Sequence, residues 1–132
     1  MEVTVSYYFS KTLNVSFDEA VARVTEELKK EGFGILTDID VQATLKKKLN
    51  ADFRKYRILG ACNPPFAYQA LQAEDKIGLM LPCNVIVQEL SEGKVEVAAI
   101  DPITSMQAIN NPLLGGVAQQ VHAKLKKVIE SL

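Results

Sequence analysis

The sequence lacks nearly every marker that would announce a chemistry. It holds one histidine and two cysteines, and the cysteines are neither spaced as a Cys-x-x-Cys pair nor accompanied by an acid/base partner. No catalytic constellation is complete, no cofactor is indicated, and a metal site built on two thiols would still want its other ligands. No apolar run approaches the ~18 residues of a spanning helix, and residues 1–9 carry neither a basic n-region nor a cleavage site. These absences give the expectation of a cytoplasmic protein with no membrane partner and with free thiols rather than a structural disulfide. A formal net charge of −1 over 132 residues argues against nucleic acid as a partner. No linker, internal repeat or low-complexity segment breaks the chain.

What is present is enough apolar material, 48% of the residues, for the core of a single domain spanning residues 1–132. The pattern is organised around Ile58 to Leu90, which holds both cysteines, three of the five prolines and two Cys-Asn dipeptides. Asn63-Pro64 reads as a helix N-cap followed by proline in the first turn, so a helix starts just after Cys62. Tyr56 to Cys62 reads as the buried end of a strand begun at Arg54, and Gly78 to Leu90 as another strand, interrupted at Pro82.

Taken in order, Glu2 to Ser10 is a strand by composition and by the Val3/Val5 alternation. Ser16-Phe-Asp-Glu19 is a capping box opening a helix through Ala20, Val24 and Leu28, which Gly32 closes. Phe33 to Thr37 is a short strand, Asp38 suits a turn, and Asp40 caps a second helix whose outer face is Lys46, Lys47 and Lys48. The third helix runs from Pro64 to about Gln72 with Phe66, Ala67, Ala70 and Leu71 inward. A hairpin then turns at Ser91-Glu92-Gly93 and ends at Asp101-Pro102. Asn111-Pro112 repeats the cap-then-proline device before a last helix with Leu114, Val117, Val121, Leu125 and Val128 on one stripe. This order predicts an α+β fold, a mainly antiparallel twisted sheet with the first and last helices packed on one face. The other face is left open or covered by a partner.

Several residues carry a functional reading beside an ordinary one. Cys62, ahead of a helix start whose dipole favours an anion, is a reactive thiol or part of an anion pocket; equally, it is a small buried hydrophobe. Cys83, after Pro82, lies at a bulge or edge that re-aims a side chain toward a site, or is a core thiol beside a kink. Asp38 and Asp40 fit turn and cap roles, whereas Asp101 is open to either role. Met80 and Met106 offer thioethers to a soft metal or simply fill core gaps. Lys46, Lys47, Lys48, Arg54, Lys55 and Arg57 make one local basic cluster, read as a solvated face. His122 flanks the last apolar stripe as a surface or boundary residue.

Gly60-Ala-Cys62-Asn-Pro64, Leu81-Pro-Cys83-Asn-Val85, the late Asp101-Pro102 and Phe33-Gly-Ile-Leu-Thr-Asp38-Ile-Asp40 occur in an order and separation by which the chain resembles the bacterial and archaeal domain of unknown function 302 family over nearly its whole length. The resemblance implies a helix-covered antiparallel sheet grouped with TATA-box-binding-like architectures, and a homodimer. It supplies no activity, and the fold name licenses no claim of DNA binding. A third helix that returned the chain to a parallel strand would leave Cys83 at the far end of the sheet; the antiparallel sheet implied by the resemblance favours instead a helix across the sheet's end, with Cys62 and Cys83 in one pocket and Cys62 the more reactive. The leading reading is therefore a small-molecule-binding module with Cys62, Asn63, Pro64, Cys83, Asn84 and Asp101 as its ligand-binding residues. Thiol redox or soft-metal handling by Cys62 and Cys83 is the alternative, and a purely structural homodimer the third.

Overall fold

The computed structural model describes residues 6–132. Its strands are β1 (Tyr8–Leu13), β2 (Gly34–Asp40), β3 (Tyr56–Cys62), β4 (Cys83–Ser91) and β5 (Lys94–Ile100). Its helices are α1 (Phe17–Lys30), α2 (Val41–Leu49), α3 (Pro64–Ala73), the one-turn α4 (Pro102–Ser105) and α5 (Leu114–Glu130), with a 3-10 turn at Ile77–Met80. The strands form one sheet in the order β1-β5-β4-β3-β2, with every neighbouring pair antiparallel. The α+β class expected from the element order is the observed one.

Strand alternation and helical periodicity meet in one core. Val85 and Val87 of β4 and Val95 and Val97 of β5 point to the same face and are fully buried, as the period of two requires. Val24 and Leu28 of α1 and Leu125 and Val128 of α5 close over them, equally buried. Each such side chain contributes roughly 1.5–3 kcal/mol of transfer free energy, which is why these two helices and not the others fix the sheet. The Ser16 hydroxyl accepts from the Glu19 amide at 3.2 Å to start α1, and Gly93, at φ +77°, lets β4 turn back into β5.

The open face of the sheet carries Tyr56, Ile58, Ile86 and Ala98 among Asn84, Gln88 and Glu96. Gln88 links two strands there, accepting from Arg54 Nε at 2.9 Å and donating to Glu96 Oε1 at 2.8 Å. The face that the helices leave open is therefore mixed, not apolar throughout.

The structure also moves several expected boundaries. The Val3/Val5 part of the first strand lies outside the described residues, and β1 continues past Ser10 to Leu13. Lys11 does not break it, and its ammonium donates to the backbone oxygens of Glu130 and Leu132 near the end of α5. Gly78 to Leu81 is not strand: Ile77 is fully buried, but Leu79 is 85% exposed, so an apolar run here means one anchor and not a two-sided core segment. β4 begins at Cys83, just after the cis Leu81–Pro82 peptide, so Pro82 precedes the strand rather than interrupting it. Asp38 is not in a turn but inside β2, where both its oxygens accept from Arg57 of β3. That pairing holds the Asp38 carboxyl below its ordinary range, chiefly through the hydrogen bond. Asp40 caps α2 as expected, accepting from Ala43 N at 2.9 Å.

Candidate functional site

β3 ends where β4 begins. In their antiparallel ladder Ala61 stands opposite Cys83, so Cys62 is one residue further along; on its other side Cys62 faces Gly34 of β2. α3 leaves this corner at Pro64 and packs toward α5. Between them is a cavity of about 300 Å³, floored by Ala61 and Cys83, walled by Phe66 and Ala70 of α3 and by Val117 and Val121 of α5. Leu36 and Leu71, 67% and 45% exposed, stand at its rim.

The thiols differ in setting. Cys83 is buried, and its thiol is pushed up to about 11, first by desolvation and then by the neighbouring Cys62. Cys62 is half-buried, and both cysteines are free. Asn63 is 8% exposed and lines the cavity, yet its side chain does not cap α3 as its position suggested. Its Nδ2 instead donates to the Glu31 carbonyl at 3.0 Å, tying the cavity wall to the end of α1. Gly32, at φ +85°, permits that approach, since a Cβ there would come within 3.1 Å of Asn63 Nδ2.

Of the six residues expected to share one pocket, the structure brings together Cys62, Asn63 and Cys83 and separates the other three. Pro64 is exposed and does not line the cavity, because the first turn of α3 points its ring to solvent. Asn84 alternates to the opposite face of β4 and lines a second concavity with Tyr56 and Ile86. Asp101 lies beyond β5, where its Oδ1 accepts from Ile103 N at 3.0 Å to cap α4. Met106 does line the cavity, whereas Met80 does not and is 40% exposed. The expected cap at Asn111 is offset: Oδ1 accepts from Leu113 N at 3.0 Å, Nδ2 donates to Ala73 O at 2.7 Å, and α5 starts only at Leu114.

Sequence reasoning missed two things. Phe33, Leu36, Val117 and Val121 are cavity residues, but nothing in an apolar residue at helical or strand spacing distinguishes a cavity wall from a core. His122 pairs with Asp101, Nδ1 to Oδ1 at 2.8 Å, with the Phe9 ring edge-on at 4.9 Å. No hydroxyl or thiol is hydrogen-bonded to this imidazole among the described residues, so the pair has the orienting half of a nucleophile-activating arrangement and not the nucleophile. Among the described residues no cluster of three or more His, Cys, Asp or Glu is placed to hold a metal ion, and no helix is long and apolar enough to cross a membrane.

A family model, "Domain of unknown function DUF302", matches residues 9–132. The chain belongs to the DUF302 family. A crystal structure of an uncharacterized conserved DUF302 protein from Bacillus stearothermophilus is similar to it, with 27% identity and a TM-score of 0.87 over 96% of this chain and 98% of that one. No curated protein matches the chain. The resemblance carried by the Cys-Asn segments is thus the correct family, and the sheet and helices described above are the family's fold.

Proposed function

We propose that this DUF302 chain is a small-molecule-binding module whose site is the cavity between β3, β4, α3 and α5. The observation that carries the reading is a concave, mostly apolar space at the end of the sheet, into which the half-buried Cys62 and the buried Asn63 and Cys83 converge. Ligand sites are commonly of this kind, with apolar walls and a few polar groups that fix orientation. Native mass spectrometry of freshly purified protein is the test: a retained small molecule, lost on unfolding and on filling the cavity with Ala67→Phe, supports the reading. Bare protein that also leaves Cys62 equally open to alkylation in the presence of a panel of small molecules would end it.

A second reading, thiol redox chemistry, is favoured by Cys62 and Cys83 lining the same cavity, near enough that Cys62 helps to raise the Cys83 thiol. Two thiols and hydrogen peroxide would give the disulfide and two waters. Peptide mapping after mild peroxide treatment tests it, and linkage only between separate chains would sink it. The homodimer expectation has its own surface, the open sheet face around Ile58 and Ile86, and sedimentation across micromolar dilution tests that.

A further inference from the structure

Resting on the ligand-binding reading, we infer that the ligand is an uncharged, hydrocarbon-rich molecule that enters past Leu36 and Leu71 and turns its few hydrogen-bonding groups toward the Asn63 amide. The lining contains no Asp, Glu, Lys, Arg or His, and its only side-chain nitrogen or oxygen atoms are those of the Asn63 amide. Of these, one N–H of Nδ2 is committed to the Glu31 carbonyl, which leaves the second N–H and Oδ1 as the only side-chain amide groups open to a ligand. A charged ligand would surrender its hydration here without a counter-charge, the most expensive way to fill an apolar space.

The helix start beside Cys62 does not rescue an anion. A helix N-terminus binds anions through its open N–H groups, but the first two residues of α3 are Pro64 and Pro65, which have none. The next open donor position is Phe66, since the Ala67 amide is spent on Asn63 O at 3.0 Å. The anion pocket expected at Cys62 is therefore left with the Phe66 amide alone among the first helix-start donors, and with no cationic side chain beside it. Cys83, with its thiol raised to about 11, presents a neutral group to the floor at physiological pH. The cavity volume of about 300 Å³ corresponds to roughly ten water volumes of ~30 Å³, so the enclosed part of the ligand has on the order of ten non-hydrogen atoms. Any larger or polar remainder lies outside the rim leucines.

The test uses two probes with one skeleton, N-phenyl-1-naphthylamine and its sulfonate, 1-anilinonaphthalene-8-sulfonate, titrated by fluorescence into the folded chain. The expected result is saturable binding of the neutral amine, at least about tenfold tighter than the sulfonate, with slower iodoacetamide labelling of Cys62 and loss of binding in Ala67→Phe. If Ala67→Phe fails to fold, the Cys62 protection measured on the natural sequence decides the location alone. Equal or tighter binding of the sulfonate with the same Cys62 protection would overturn the uncharged class and leave the ligand-binding reading standing. Binding of neither probe, or binding without Cys62 protection, would remove the reading itself and the inference with it.

Discussion

Ala61 and Cys83 face each other across β3 and β4, and this single register pairing brings two cysteines twenty-one positions apart to one corner of the sheet. The pairing also makes them unequal. Cys83 sits on the buried face of its strand, while Cys62, one step beyond the pair, is half-buried at the cavity. Ellman titration of the native protein at pH 8 should therefore report one thiol, lost in Cys62→Ser and kept in Cys83→Ser. With its thiol near 11, Cys83 has only about one thiolate per thousand molecules at pH 8. Equal labelling of both cysteines, appearing only on denaturation, would make both of them core residues.

The same thiol predicts a pH dependence of stability. Its folded pKa, about 11, lies above the ordinary thiol value of 9.0, so the neutral form is favoured by folding. Stability from this group is complete below pH 9 and falls as pH rises from 9 to 11, by about 2 kcal/mol in all. Urea unfolding at stepped pH, compared with Cys83→Ala, isolates the contribution. The variant should be less stable at neutral pH, and the difference between the two proteins should shrink through that window. A constant difference would contradict the assignment.

Gly60 is fixed by crowding and not by backbone conformation. A Cβ there would collide with Thr37 Oγ1 and stand 2.8 Å from Pro82 Cγ, a ring atom with little room to give. Gly60→Ala should lower stability by about 1–3 kcal/mol, and Thr37→Ala in the same chain should restore part of it. Chemical denaturation of the single and double variants checks both. An unchanged midpoint for Gly60→Ala would mean that the β2–β3–Pro82 contact is looser than described.

Asn63 separates two roles that sequence alone makes look alike. Were it an N-cap, serine would serve about as well. Because its amide instead bonds to Glu31 O, Asn63→Ser should cost about 1 kcal/mol by leaving a part-buried carbonyl without this partner. Thermal unfolding of Asn63→Ser against Asn63→Ala measures this; a fully stable serine variant would restore the capping role.

The class of the fold is legible in the sequence because its signals are local. Ser16 and Asp40 cap the helices that follow them, Gly93 turns the hairpin, and the Val85/Val87 and Val95/Val97 alternations choose a buried face. The Cys-Asn segments also marked where to look, and carried the family. What only the tertiary structure decided was which of those marked residues share a space. Period-two alternation sends Asn84 away from Cys83, the strand register brings Cys62 toward it, and α5 delivers Val117 and Val121 from thirty-four and thirty-eight positions further on. Cap propensity described Asn63 in isolation, but a part-buried carbonyl at the end of α1 competed for its amide and won. An apolar side chain reads the same in sequence whether it fills a core or walls a cavity. The difference lies in what the opposite wall leaves empty, and that depends on residues far apart in the chain.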